Sequence, residues 1–178
     1  MNLIVITGGP GVGKTTLINA LEKHGYIVVM EEARRIIQEQ IQTDEEGLPW
    51  KNKTYYAQMM LDASLETYQH IAAEPNSNLV FFDRGVLDTI CYMKMENIHI
   101  SEEVNNLVKS HPYNQKVFIL PPWQKIYTTD NERKQTWKDA VFTFEEMKKT
   151  YLEYGYELVE VPKTSVEQRC EFIMSCLQ

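Results

Sequence analysis

The chain has 178 residues, of which 43% are hydrophobic and 24% charged, a balance that suits one globular domain with a buried core. Its formal net charge is −7, so its surface repels phosphate backbones, and no basic stripe offers a nucleic acid a binding face. No apolar run reaches the ~18 residues that a membrane span needs, and the three cysteines lack metal-ligand spacing. We therefore expect a single cytoplasmic domain over residues 1–178, with neither a nucleic-acid partner nor a membrane span.

Short apolar runs alternate with longer segments of helical periodicity along the chain. The apolar runs predict five strands: Leu3–Thr7, Tyr26–Met30, Leu79–Phe82, Lys116–Leu120 and Tyr156–Val161. The other segments predict helices over Lys14–His24, Glu31–Gln42, Asn52 to about Ala73, Asp88–Met95, Glu102–Ser110 and Ala140–Tyr154, with a terminal helix opened by a capping box of Thr164 and Glu167. Strands that alternate with helices favour an α/β fold with a parallel sheet covered on both faces.

The first predicted strand runs into a loop that fits G-x-x-x-x-G-K-[ST] at every fixed position. The loop precedes a predicted helix, so its backbone amides and the positive end of that helix can converge on phosphate oxygens. Lys14 is predicted to reach the β- and γ-phosphates, and the hydroxyl of Thr15 to ligate Mg²⁺. The alternative is a glycine-rich turn that binds nothing. The predicted nucleotide-binding residues are Gly8, Gly9, Pro10, Gly11, Val12, Gly13, Lys14, Thr15 and Thr16.

A second polar site is predicted where the stretch "LVFFDRGVLD" passes from apolar residues to Asp83 and Arg84. A strand buried on both faces is a continuous apolar run, and an acid at its end costs desolvation unless a partner compensates the charge. Ligands bind beyond the carboxyl ends of parallel strands, so Asp83 is predicted to hold Mg²⁺ beside the same phosphates. Arg84 is predicted to face an acceptor or a transferred phosphoryl group. For both residues the alternative is a surface ion pair.

Two common nucleotide-hydrolysing classes lack support in the sequence. No second acid follows Asp83, so the pair of acids typical of motor ATPases is missing. No Asn-Lys-x-Asp motif is present either, because Tyr55 stands where "KNKTYY" would need the Asp. ATP with Mg²⁺ is therefore the expected ligand, and GTP is left open.

Several stretches together resemble a known family. "FFDRGVLDT" resembles the Asp-Arg element that closes the third strand of thymidylate and deoxynucleoside kinases, and "VFILPPWQKIYTTDNERKQ" with "FEEMKKTYLEY" resembles their fourth strand, lid and following helix. With "ITGGPGVGKTTLINAL", "VVMEEARRIIQEQ", "GLPW" and "GYELVEVP", nearly the whole chain resembles the P-loop predicted ATPases of the AAA type, which are related to the ribosylnicotinamide kinase domain. The resemblance implies a three-layer P-loop fold with strand order 2-3-1-4-5 and a mobile lid at about residues 121–138.

The kinase resemblance also implies roles for two charged residues. An acid after the second strand receives the acceptor's hydroxyl proton, and Glu31 matches that position best, with Glu32 as the other candidate. The alternative is that these acids only stabilise a helix start. Arg133 in the lid would neutralise the moving phosphoryl group, and Lys134 is a weaker candidate for this role.

Two further sets of side chains have competing interpretations. Arg34 and Arg35 either pair with Glu31 and Glu32, bind an acceptor's phosphate, or lie exposed as i,i+4 partners of Gln38 and Glu39. In "LPWKNKTYYAQ", rings and an amide could recognise a planar base. We prefer packing and helix capping for that set, whose members are Trp50, Tyr55, Tyr56 and Gln58.

The sequence thus supports two functional hypotheses. The first is a small-molecule kinase that transfers the γ-phosphoryl group of ATP to a nucleoside-like acceptor, with Lys14, Glu31, Arg84 and Arg133 as its catalytic residues. The second is a nucleotide-dependent switch, in which ATP or GTP orders the lid, alters a surface for a macromolecular partner, and is slowly hydrolysed. A small acceptor should stimulate the first kind of protein but not the second. A domain that binds nucleotide for stability alone is a third reading.

Overall fold

The computed structural model describes residues 2–43, 46–74, 78–126 and 136–177, except for the side chains of Arg34 and Thr43. The chain divides into two compact units, which we describe separately. The first comprises Met1–Val29, Asn78–Arg84 and Tyr113–Gln178, and the second comprises Met30–Ser77 and Gly85–Pro112.

The strands all lie in the first unit. They are β1 (Leu3–Gly8), β2 (Ile27–Val29), β3 (Val80–Asp83), β4 (Lys116–Leu120) and β5 (Glu157–Glu160). They form one parallel sheet in the order β2-β3-β1-β4-β5, which confirms the predicted fold class and strand order. The central strand β1 pairs with β3 so that Ile6 lies opposite Asp83. The register therefore brings the end of β3 beside the end of β1, where the glycine-rich loop begins.

The helices match the predicted ones to within a few residues at their ends. They are α1 (Lys14–Lys23), α2 (Glu32–Thr43), α3 (Lys53–Ala73), α4 (Val86–Met95), α5 (Glu102–Lys109), α6 (Trp137–Glu153) and α7 (Val166–Leu177). Among the described residues, no helix combines the length and the apolar character needed to cross a bilayer.

Helices of the first unit cover both faces of the sheet. Successive side chains of a strand point to opposite faces, so Ile4 and Ile6 share one face and Thr7 lies on the other. The face of Ile4 and Ile6 packs against α1 and α7 in the main apolar cluster. On the other face, the hydroxyl of Thr7 donates a hydrogen bond to Sδ of Met147 in α6, at 3.7 Å. The cluster contains Ile4, Ile6, Val12, Leu17, Ile18, Leu21, Phe81, Phe118, Leu120, Val161, Cys170 and Ile173.

The second unit has a smaller apolar cluster of its own. Ile36 of α2 packs against Tyr56 and Met60 of α3. The ring of Tyr56 meets that of Tyr92 edge to face, with centroids 5.5 Å apart. Burial, followed by the nearby charge of Glu96, raises the pKa of Tyr92 to about 12. Tyr92 is therefore neutral at physiological pH and serves here as a packing residue.

The predicted capping box of the terminal helix is wrong by one residue. The helix begins at Val166, and the reciprocal hydrogen bonds join Ser165 to Gln168 rather than Thr164 to Glu167. Both pairs fit the sequence pattern, so the local sequence does not choose between them. In the structure the carbonyl of Thr164 instead accepts a hydrogen bond from Nε of Arg169, at 3.0 Å.

Candidate functional site

The glycine-rich loop connects β1 directly to α1. Gly8 has φ 151°, and a Cβ at this position would lie 2.9 Å from the carbonyl oxygen of Leu120 in β4, so the close approach of the strand requires glycine. Gly13 has φ 84°, a left-handed conformation that favours glycine, and it occupies the N-cap position of α1. Because Gly13 has no side chain to cap the helix, the first amides of α1 are left to other acceptors. A helix N-terminus with uncapped amides is a favourable place for an anion.

The acid at the end of β3 and the lysine of the loop form a buried ion pair. Nζ of Lys14 donates a hydrogen bond to Oδ1 of Asp83. Lys14 is 7% exposed and Asp83 is 4% exposed, so both charges are largely removed from water. The pairing compensates the charge that "LVFFDRGVLD" leaves at its apolar strand end. The sequence placed both residues at one edge of the sheet but did not predict this direct contact.

Arg84 follows Asp83 in an unusual backbone conformation. Its φ is 74°, and its amide donates a hydrogen bond to the carbonyl of Ile6 at 3.0 Å, which continues the ladder past the end of β3. A left-handed conformation in a non-glycine residue costs on the order of 1–3 kcal/mol and persists where the surrounding structure imposes it. The ladder contact and the turn into α4 thus fix the backbone that presents the Arg84 side chain.

The two acids after β2, Glu31 and Glu32, lie in the second unit. Glu32 opens α2, and each of its carboxylate oxygens accepts a hydrogen bond: one from the hydroxyl of Thr67 at 2.7 Å, the other from Nε of Arg35 at 2.7 Å. Glu31 precedes the helix and is half-buried. Glu32 therefore has a structural role in holding α2 to α3 and to its own first turn.

Arg35 pairs with Glu39, four residues later on the same helix, as its helical spacing allows. Its Nη1 donates to both carboxylate oxygens of Glu39, at 2.8 and 3.0 Å, and the guanidinium is exposed. The hydrogen bond to Glu32, followed by those to Glu39, raises the pKa of Arg35 above its ordinary value. The side chain of Arg34 and all of Arg133 and Lys134 lie outside the described residues, as do residues 127–135 of the predicted lid.

Of the four side chains that could recognise a planar base, Tyr56 and Gln58 make contacts within the second unit. Tyr56 is buried in the apolar cluster, and Nε2 of Gln58 donates to Asp62 at 2.8 Å. Tyr55 is exposed, and its backbone amide is capped by Asn52. Trp50 is 66% exposed. Packing and capping account for the buried part of this set, and Trp50 and Tyr55 remain the rings with accessible faces.

A family model described as an AAA domain matches residues 3–169. The chain belongs to this AAA domain family. Among curated proteins, no sequence matches the chain. The family match covers β1 through the first turn of α7, so it includes the loop, the Lys14–Asp83 pair and Arg169.

Solved structures of nucleoside and nucleotide kinases share the fold of this AAA-domain chain. Deoxyadenosine kinase from M. mycoides with dCMP and dCDP bound is 21% identical, with a TM-score of 0.64 and 98% of each chain covered. The NadR protein in complex with NR is 19% identical with a TM-score of 0.73, and the match covers 99% of this chain and 50% of the NadR chain. Thymidylate kinase from Candida albicans is 16% identical with a TM-score of 0.65, covering 99% of this chain and 90% of that one. The chain therefore has the P-loop fold of these kinases.

The side chains at the loop suit Mg²⁺ bound together with phosphates. Among the described residues, no three His, Cys, Asp or Glu side chains group as a metal cage. The loop offers instead the exposed hydroxyl of Thr15, and β3 offers the carboxylate of Asp83. Mg²⁺ takes few protein oxygens and completes its shell with water and substrate phosphate, so this small donor set fits it.

Sequence reasoning missed one charged residue beside the loop. Arg169, in the first turn of α7, is 5% exposed, and its guanidinium carbon lies 4.7 Å from the centre of the Trp123 ring. A Cβ placed on Gly13 would lie 3.1 Å from its Nη1. Burial lowers the pKa of Arg169 below its ordinary value. No sequence signal marks this position, because an arginine in an amphipathic terminal helix is usually a solvent-exposed residue.

We predict a strong energetic coupling between Lys14 and Asp83. Asp83→Asn should lower the free energy of unfolding by about 3 kcal/mol, because it leaves a buried lysine without its counter-charge. Lys14→Met in the same chain should recover part of that loss, so that a double-mutant cycle in urea gives a coupling of about 1–3 kcal/mol.

The exposed pair of Lys148 and Glu160, with 3.0 Å between Nζ and Oε1, is the matched control in the same unit. Its cycle, with Lys148→Met and Glu160→Gln, should give a coupling below about 1 kcal/mol. Equal couplings for the two pairs would contradict the assignment of a buried, mutually dependent pair at the loop.

Proposed function

We propose that this chain is a P-loop phosphotransferase that moves the γ-phosphoryl group of ATP to a hydroxyl group of a nucleoside-like small molecule. The observation that carries the proposal is the buried pair of Lys14 and Asp83 at adjacent strand ends, one residue from the loop and the other facing it across the sheet. A phosphate-binding lysine and a metal-binding acid are the two charges that phosphoryl transfer needs at this place. The fold shared with kinases of nucleosides and nucleotides supports a small acceptor of that class.

In this proposal the binding of nucleotide with Mg²⁺ breaks the Lys14–Asp83 ion pair and gives each residue a new partner. The backbone N–H groups of the loop, which every residue of Gly8–Thr16 except Pro10 has, would hold the phosphates, and Lys14 would move from Asp83 to the β- and γ-phosphate oxygens. Asp83 and the hydroxyl of Thr15 would hold Mg²⁺, which would neutralise phosphate charge. GTP would satisfy the same phosphate contacts, because none of these groups reads the base.

The acceptor requires a base and compensating positive charge. We assign Glu31 as the base, because its position after the second strand best matches the acid that receives the acceptor proton in the nucleoside kinases that this segment resembles. Arg84, and Arg133 from a closing lid over about residues 121–138, are assigned to neutralise the charge that develops on the transferred group. The reaction then needs positioning and electrostatic stabilisation rather than a covalent intermediate on the protein. The whole chain, residues 1–178, acts as one nucleotide-binding domain in this scheme.

The proposal predicts that a small acceptor stimulates ADP release. Purified protein with ATP and Mg²⁺ should release ADP at least about tenfold faster with one member of a nucleoside panel, including nicotinamide riboside, than with water alone. The product should be a phosphorylated acceptor in equal amount, detected by mass spectrometry. Lys14→Ala, which lacks the phosphate-binding ammonium group, is the blank for contaminating activity.

Two outcomes would decide against a kinase. A slow rate that no acceptor changes, but that a macromolecular fraction stimulates, would favour the nucleotide-dependent switch. ATP binding without turnover under any condition would leave only a nucleotide-stabilised domain.

Arg84→Gly provides a test of the arginine that follows β3. The substitution removes the guanidinium but suits the observed φ of 74°, so the free energy of unfolding should change by less than about 1 kcal/mol. Turnover should fall by at least about tenfold, because the charge next to the transferred group is lost. Asn97→Gly, at the other described non-glycine residue with positive φ (55°), is the control and should leave turnover unchanged. An Arg84→Gly enzyme with full turnover would remove Arg84 from the mechanism.

A further inference from the structure

The first unit contains a buried cation that the proposed reaction does not use. Nε of Arg169 donates to the carbonyl of Thr164 at 3.0 Å, and the guanidinium stacks on Trp123. Within the described part of the chain, Nη1 and Nη2 of Arg169 have no hydrogen-bond acceptor and no carboxylate pairs with the group. Among the described residues, no fully buried side-chain nitrogen lacks a hydrogen-bond partner, so Nη1 and Nη2 keep some exposure to solvent and are accessible to a ligand.

The location of the guanidinium indicates what compensates it. Nη1 and Nη2 lie 3.1 and 3.9 Å from the position of a Cβ on Gly13, the residue at the N-cap of α1. The free N–H groups thus lie against the loop rather than against an acidic surface. An anion held by the loop and by the N-terminus of α1 would be the nearest source of negative charge.

We propose that Arg169 is a nucleotide-binding residue whose Nη groups hold the polyphosphate of the nucleotide in the loop, with Trp123 as the support that fixes the guanidinium plane. This inference rests on the proposed function. It adds a second cation, on α7, to the lysine of the loop itself. The carbonyl of Thr164 fixes one edge of the group by accepting from Nε, and Nη1 and Nη2 lie on the side of Gly13.

The geometry also explains why arginine, and not lysine, occupies this position. The planar guanidinium lies over the Trp123 ring at 4.7 Å while its edge donates to Thr164, and a lysine ammonium group offers neither the plane nor the fixed fork of donors. Burial lowers the pKa of Arg169, but arginine begins so high that the group stays charged at neutral pH. A cation that remains charged when buried is what a polyphosphate site requires.

The test measures how the effect of Arg169 depends on the number of phosphates. Calorimetric titrations with Mg²⁺ would compare AMP, ADP and ATP on the wild type, on Arg169→Gln and on Arg169→Lys. For Arg169→Gln we expect affinity for ATP and ADP to fall by about tenfold or more, with a smaller loss for AMP, because charge-assisted hydrogen bonds to the added phosphates are lost. Arg169→Lys should recover only part of the loss. The control is Lys149→Gln, which removes one exposed positive charge from α6 and should leave the affinities for AMP, ADP and ATP unchanged.

The outcomes separate this inference from the proposed function. A wild type that does not bind ATP would end both. Wild-type ATP binding with unchanged affinity in Arg169→Gln would overturn the role of Arg169 and leave the phosphotransferase proposal intact. An equal loss for AMP, ADP and ATP, with a changed preference between ATP and GTP, would show base recognition and also overturn it.

A second measurement does not depend on the variant folding. In wild-type protein labelled with ¹⁵N-arginine, the guanidinium signals of Arg169 should shift on addition of ADP with Mg²⁺ and should not shift with adenosine. If the guanidinium signals of Arg169 do not shift at a saturating concentration of ADP, the inference is contradicted.

Discussion

The buried ion pair between Lys14 and Asp83 is the contact on which the site depends. Each charge loses most of its hydration, and each is stabilised by the opposite charge beside it. The pair exists because β1 and β3 are adjacent in the sheet and in register at Ile6 and Asp83. The crossed strand order therefore does more than build a core: it brings one acid and one base, 69 residues apart in sequence, to the same strand ends.

Three further features around the loop are unusual in a folded domain: one strained residue, two glycines with positive φ and one buried cation. Arg84 holds a left-handed backbone, Gly8 and Gly13 accept close contacts that no side chain would allow, and Arg169 is a buried cation. A strained backbone and a cation without a carboxylate partner in one place are typical of functional sites, where a ligand later supplies further interactions. The apolar cluster of α1, α7 and the sheet supplies the stability that offsets them. In the proposed mechanism, phosphate and Mg²⁺ become the new partners of Lys14 and Asp83. The polyphosphate also supplies an anion to the guanidinium of Arg169.

Much of this arrangement follows from local sequence, and the remainder follows from long-range packing. The strands and the loop were predictable because continuous apolar runs and the glycine spacing are local signals. The end of β3 at Asp83 was not predictable, because the apolar run stops at Phe82, and the capping box at Ser165 was not, because Thr164 with Glu167 fits the same pattern. The strand order came from the family resemblance rather than from periodicity. Arg169 was missed because its burial depends on Trp123 and Gly13, which are far away in the sequence. Glu31, Arg84 and the lid residue Arg133 retain the roles proposed for them as predictions.

The most direct test of the central claim is a crystal structure with Mg²⁺ and a non-hydrolysable ATP analogue. The account predicts that Nζ of Lys14 leaves Asp83 and lies within about 3 Å of a β- or γ-phosphate oxygen. It also predicts that the carboxylate of Asp83 turns to Mg²⁺ or to one of its water ligands. A nucleotide bound at the loop with the Lys14–Asp83 pair unbroken, and with no metal near Asp83, would contradict it.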